Sequence, residues 1–231
     1  MDELALVLLI VELALLVFTL LLLLLSRREW SGRERLFNLL MATMRILTRQ
    51  EYFSMVMDSL KSAKKDIHAI VTGTAPSEAS RTLVDGVLQA MSETNKNGVS
   101  LNYLLPKSPE KLEMGYLYTK AGAKVRYHDG LVVYDLRFML IDEKYAVLGL
   151  PEATGAMEPT RRGALLMSET LASVLLEYFN KFWGSAEDYN TYLTEVVLKL
   201  LEENPELSAE TISLQFKVDV EEINKVIKAK K

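Results

Sequence analysis

The run "LALVLLIVELALLVFTLLLLLL", residues 4–25, constrains this chain more than any other stretch, because it is apolar except for Glu12 and Thr19. About 20 such residues cross a hydrocarbon core as a helix. A cleaved signal peptide would start basic, carry a shorter apolar run and end in small residues. This chain instead starts with Asp2 and Glu3, and the run passes into "SRREW". Residues 1–26 are therefore expected to form a transmembrane anchor that holds the chain in the membrane through residues 4–25. Arg27, Arg28, Arg33 and Arg35 all follow the run. An arginine excess on one flank places that flank in the cytoplasm, so a single-pass protein with cytoplasmic C-terminal domains is expected. Glu12, at mid-span, is either protonated or marks a helix–helix contact. Residues 27–48 read as a juxtamembrane linker helix, with Leu36, Leu39, Leu40, Met44 and Leu47 on one stripe and Arg33, Arg35 and Arg45 as basic positions.

The remainder of the 231 residues suits one domain of ordinary size with a small appendage. The formal net charge of -4 predicts no bulk attraction to nucleic acid or anionic lipid. Without cysteine, neither a disulfide framework nor a thiolate metal site can exist. His68 and His128 are the only histidines, which argues against chemistry built on a histidine cluster. No metal and no cofactor are expected.

From residue 49 the pattern alternates. "EYFSMVMDSLKSAK" has apolar residues at helical spacing, and "DIHAIVTG" is a short apolar run ending in glycine, hence a buried strand. "SEASRTLVDGVLQAMSETNKNG" is a helix stopped at Gly98, "VSLNYLL" a strand, and "SPEKLEMGYLYTKAG" a helix capped by Ser108 and ended by Gly122. "AKVRY", "LVVYDLRFMLID" and "KYAVLGL" are further strands, and "SETLASVLLEYFNKFW" is a helix capped by Ser168. Such alternation gives an α/β layered domain, a mixed sheet flanked by helices. In residues 131–142 the even positions Val132, Tyr134, Leu136, Phe138 and Leu140 are apolar and are expected to face the core. Asp135 and Arg137 project together on the other face, and Asp142 ends the strand. The connection "PEATGAMEPTRRG" beyond the last of these strands carries Glu152, Glu158, Arg161 and Arg162, in the kind of loop where α/β proteins place their sites.

The spacing of Asp135, Arg137 and Asp142, followed by Gly149, Leu150, Pro151 and Glu152, resembles the phospholipase D-like superfamily. That family carries H-x-K-x4-D and, six residues later, G-S-x-N. The flanking order of elements is similar as well, over about residues 49–183. The resemblance implies a phospholipase D-like domain over 49–184 with one motif, a domain size that this family pairs as a homodimer. In the active family the histidine attacks phosphorus and its partner motif's histidine protonates the leaving group. Here Asp135 stands at that place and is anionic at neutral pH. Leu150 and Glu152 stand where serine and asparagine would be. Asp135, Arg137, Asp142 and Glu152 thus read as relic motif positions with no catalytic residue among them. A guanidinium fork suits an oxyanion, and Arg137, Arg161 and Arg162 are the candidate anion-binding residues.

Residues 185–231 read as a three-helix tail. Its stretch "TISLQFKVDVEEINKVI" resembles a helix-turn-helix, with Ser208 and Asp219 as caps and Lys217 at the usual turn glycine. The first turn of the last helix holds Asp219, Glu221 and Glu222, which oppose the phosphate field of DNA. The tail is left open between a protein-binding module and a DNA reader. Three readings of function remain for the whole chain. One is a membrane-anchored, catalytically degenerate, ligand- or partner-binding regulator or scaffold, its ligand unknown. Another is an active phosphodiesterase or nuclease with displaced catalytic groups; a membrane-tethered DNA-binding transcriptional regulator is a third possibility.

Overall fold

The computed structural model describes residues 44–72, 81–131, 137–150 and 162–229. The expected anchor 1–26 and most of the expected linker helix lie outside them. Among the described residues no helix is long and apolar enough to cross a membrane. Arg45–Lys231 form one compact unit.

Its centre is an eight-stranded sheet of β1 (Met44–Thr48), β2 (Asp66–Ile70), β3 (Ser100–Pro106), β4 (Lys124–His128), β5 (Arg137–Ile141), β6 (Tyr145–Leu150), β7 (Arg162–Leu166) and β8 (Glu187–Asp188). The order across it is β1-β7-β6-β5-β2-β3-β4-β8. Strands β2, β3 and β4 run parallel, whereas β5, β6 and β7 fold back as an antiparallel meander beside β2. The sheet is therefore mixed. The helices are α1 (Arg49–Ser62), α2 (Arg81–Lys96), α3 (Leu112–Lys120), α4 (Glu169–Trp183), α5 (Tyr189–Glu203), α6 (Ala209–Phe216) and α7 (Val220–Ala229). Of these, α1, α2, α3 and α5 bury one sheet face in a core containing Ile67, Leu101, Tyr103, Tyr127, Met139, Ile141 and Val147. On the other face α4 lies over β2, β4, β5 and β6. Strands covered on both faces read as continuous apolar runs, which explains the composition of β2, β3 and β5.

Several expectations need correction. Residues 44–48 are not the end of a linker helix but an edge strand beside β7, and the sheet starts before residue 49. Thr48 is the reason. Its Oγ1 accepts from the Glu51 amide at 3.3 Å and the Glu51 carboxylate accepts from the Thr48 amide at 2.9 Å, a capping box. The cap residue is extended, so a helix cannot run through it into α1. Arg162 and Gly163, expected in the loop before the Ser168-capped helix, open strand β7. The even residues of 131–142 are not the sole core face, for all five residues of β5 are buried. Arg137, Met139 and Ile141 share the face of the larger core. Ser108 makes no side-chain cap; Pro109–Lys111 form a short 3-10 turn that leads into α3.

The tail is not a body of its own. Tyr189, Tyr192, Leu193 and Val197 of α5 enter the same core, and the Tyr192 ring lies 4.5 Å from that of Tyr127. Strand β8 extends the sheet beside β4, and Lys107 at the end of β3 reaches Glu187 at 2.9 Å and Glu195 at 2.7 Å. Helices α6 and α7 follow one another across a tight turn. Lys217 takes the left-handed conformation (φ 51) that the turn demands, and Ser208 and Asp219 cap α6 and α7.

Asp142 ends β5 as expected, and its carboxylate has a structural task. It sits at positive φ (49) and accepts from the amides of Lys64, Lys65 and Asp66 at 3.0, 2.8 and 3.3 Å. This ties the α1–β2 connection to the β5–β6 turn. Asp142→Ala is expected to lower the unfolding free energy of the 44–231 fragment by about 2–3 kcal/mol, the worth of a few amide bonds to an ionised acceptor. Urea unfolding measures it. A loss within error of zero would show that the carboxylate is no clamp.

Candidate functional site

The C-terminal ends of β2 and β3 and the start of β5 meet at one end of the sheet. Arg137, the first residue of β5, is 6% exposed there. It is paired across the sheet with Gly149, and Gly149 with Gly163. This row of one arginine and two glycines leaves room on the core face, and the Tyr52 ring of α1 fills it. A Cβ on Gly163 would collide with Tyr52 Cδ2 and approach its Cγ to 3.0 Å.

A second cation enters from the turn before α3. Lys111 is 1% exposed; its Nζ donates to the Thr72 carbonyl at 3.1 Å, and its own carbonyl accepts from Tyr127 Oη at 3.2 Å. Burial pulls the Lys111 ammonium down to about 8, Glu110 opposes the fall and the nearby Arg137 guanidinium adds to it. Burial also pushes the Tyr52 hydroxyl up, with Arg137 opposing. Tyr103 and Tyr118, whose rings lie 4.9 Å apart, are both raised, Tyr103 by burial and then by Tyr118 and Tyr52, and Tyr118 by burial and then by Tyr52. Two buried cations and three tyrosines thus occupy one end of the core. Tyrosines held protonated are hydrogen-bond donors, so the arrangement can orient an oxyanion or another polar acceptor. Among the described residues no group of three His, Asp or Glu side chains converges to hold a metal ion.

Of the residues singled out in the sequence, Arg137 is in this site. Asp142 is not: five residues further along β5, it lies roughly 17 Å away at about 3.4 Å per residue. Asp135, Glu152 and Arg161 lie outside the described residues, and Arg162 opens β7 opposite Leu150. Sequence reasoning missed Lys111, Tyr52, Tyr103 and Tyr118. A signal existed for Lys111, which stands at the head of a stripe completed by Met114, Gly115 and Tyr118, all buried. A lysine in a core slot is an anomaly that the periodicity contains.

Both histidines are on the opposite sheet face. His68 on β2 meets the Phe179 ring of α4 edge-on at 4.9 Å and lies 3.5 Å from Asp66, and burial lowers its pKa. His128 Nδ1 accepts from the Gly130 amide at 2.8 Å and its Nε2 lies 3.1 Å from Ser185 Oγ. With Nδ1 an acceptor, the proton sits on Nε2 and is donated to Ser185. The ring closes the turn after β4 and packs on Phe182 at 5.1 Å.

No protein-family model matches the chain, and no curated protein matches it. Solved structures similar to it include a phospholipase D family member, Nuc from Salmonella typhimurium, at 16% identity and TM-score 0.49, covering 64% of this chain and 97% of that one. NucT from Helicobacter pylori is similar at 13% identity and TM-score 0.48, covering 63% of this chain and 98% of the other. TrmBL2, an archaeal chromatin protein, is similar at 17% identity and TM-score 0.46, covering 70% of this chain and 64% of its own.

Proposed function

We propose that this chain is a phospholipase D-like protein without turnover, anchored in the membrane by residues 4–25 with its domain in the cytoplasm, which binds an anionic ligand and regulates a partner. The observation that carries this reading is the separation of Arg137 from both histidines of the chain. The family's mechanism, as the sequence resemblance implies it, needs a histidine beside the cation at the Arg137 position. His68 and His128 lie across the sheet, and the ring nitrogens of His128 are both engaged in its turn. What stays at the site is the equipment for binding: a buried guanidinium, a buried ammonium and tyrosine hydroxyls.

The tail supports a protein-binding role rather than DNA reading. A helix that enters the major groove must present its N-terminal turn. Here Glu222 lies 3.5 Å from Lys120 of α3, Tyr116 Oη donates to Asp219 at 3.5 Å, and Lys217 pairs with Glu113 at 3.1 Å. The first turn of α7 is seated on α3.

The test uses the full chain in detergent. Calorimetry with inorganic phosphate is expected to show binding that Arg137→Ala weakens at least tenfold, as about 1.4 kcal/mol or more from a charge-assisted fork requires. No hydrolysis of a chromogenic phosphodiester is expected. Turnover that survives purification and disappears in Asp135→Ala or His128→Ala would overturn the reading and make the chain an enzyme.

A further inference from the structure

Helix α3 is the floor of a surface groove of about 450 Å³. The first turn of α2 forms one wall, with Arg81, Val84 and Asp85 on one face, and the α6–α7 turn forms the other, from Ser213 to Asp219. Val84 and Leu117 are half-buried and Val218 is buried, so the groove has an apolar bed. Leu214 stands beside it and is 80% exposed, more than any other large apolar side chain among the described residues. A lone surface leucine needs no explanation, but one that adjoins an apolar cleft enlarges it. The charges around the groove are unequal. Asp85, Glu113 and Asp219 line it against Arg81 and Lys217, and Lys217 is already held by Glu113 at 3.1 Å. Glu210, one turn before Leu214, and Glu221, in the first turn of α7, are exposed and add to the acids. Glu222 is held by Lys120 and Lys225 at 3.5 and 3.3 Å.

We infer that this groove is the docking site for a basic amphipathic helix of a partner protein. This rests on the reading of the tail as a protein-binding module and adds what the module binds. Every lining residue belongs to a helix or to the turn between two helices, which is the setting of helix-in-groove recognition rather than of strand addition. The apolar stripe of the guest lies on Val84, Leu117, Val218 and Leu214, and lysine or arginine on its flanks meets Asp85, Glu210 and Glu221. The surplus of carboxylates disfavours the other occupants. A second copy would bring the same acids against themselves, and DNA or an anionic lipid surface would bring phosphates.

The probe is a fluorescent peptide of about 15 residues, with leucine at helical spacing and lysine elsewhere. The sample is the full chain in phosphatidylcholine nanodiscs, and empty nanodiscs give the share of peptide that goes to lipid. Fluorescence anisotropy is expected to show binding to the chain, with a counterpart that carries glutamate for lysine bound about tenfold more weakly or worse. Leu214→Gln is expected to weaken the lysine peptide about tenfold, since it removes apolar surface that the guest covers, and Asp85→Lys about fivefold. Both side chains are exposed, so their replacement leaves the fold intact. Val174→Gln, also an exposed apolar position but on α4 across the sheet, should leave the affinity unchanged. Absence of binding, equal binding of the two peptides, or an affinity indifferent to Leu214→Gln and Asp85→Lys overturns the docking site. So does a dimer mass in light scattering that falls on Leu214→Gln, which would give the groove to a second copy. Binding of a DNA duplex overturns the reading of the tail itself, and the phosphate titration of Arg137→Ala tests the anion site separately.

Discussion

Gly115→Ala is expected to lower the unfolding free energy of the 44–231 fragment by about 3 kcal/mol, although alanine is the better helix former by about 1 kcal/mol. The added methyl would overlap Tyr127 Oη and lie 2.8 Å from its Cζ. Tyr127 cannot retreat, since it is buried under α3 and rests against the Tyr192 ring. The overlap therefore has to be relieved by moving α3, with loss of the Tyr127–Lys111 hydrogen bond as well. Urea unfolding measures the loss, and a double-mutant cycle identifies its cause. In Gly115→Ala with Tyr127→Phe the oxygen is gone, so the pair should be more stable than the sum of the single losses predicts. An additive pair would place the damage elsewhere.

Lys111→Met is expected to act in the other direction, and in a way that depends on pH. The fall of the lysine from an ordinary 10.5 to about 8 corresponds to about 3 kcal/mol against folding while the group is charged in both states. Below about pH 8 that cost is fully present. Between about 8 and 10.5 the folded chain releases the proton that the unfolded chain keeps, so wild-type stability rises with pH through this window. Methionine has similar length and no charge. Allowing about 1 kcal/mol for the lost bond to the Thr72 carbonyl, the variant should be about 2 kcal/mol more stable at pH 7, with the advantage gone near pH 10. Above pH 10 the buried tyrosines, all raised, destabilise both proteins alike. A variant less stable than wild type at pH 7 would mean that a counter-charge holds the ammonium in place. A stabilised variant with weakened phosphate binding would show that the lysine is kept for binding against the interest of the fold.

The elements that local chemistry fixes were legible in the sequence. Gly98 and Gly122 stop their helices at φ 85 and 94, and Ser168, Ser208 and Asp219 each accept the amide expected of a cap. Lys217 holds the turn in the left-handed region despite its side chain. What long-range pairing fixes was not legible. "MRILT" fits a helical stripe as well as a strand, and only its seat beside β7 makes it β1. "RGALL" is too short to identify without β6. The tail looked separate because α5 has an apolar stripe of its own, but Tyr189 and Tyr192 insert it into the core. At the site, the motif-like spacing led to Arg137 and also to Asp142, which the strand carries to the far end of the sheet. Lys111 and the tyrosines come from segments that neighbour Arg137 only after folding.

The seat of α5, α6 and α7 in the core has a consequence for biogenesis. Strand β1 has its sheet neighbour β7 far along the chain, and the apolar interior includes Val226. Contacts of such sequence separation form slowly, since the loop entropy is lost before the contacts reward it. During synthesis, β1 has no sheet partner until β7 emerges, and the core lacks Ile223 and Val226 until α7 does. The domain therefore cannot complete its core until α7 has been made, and until then its apolar interior stays open to water.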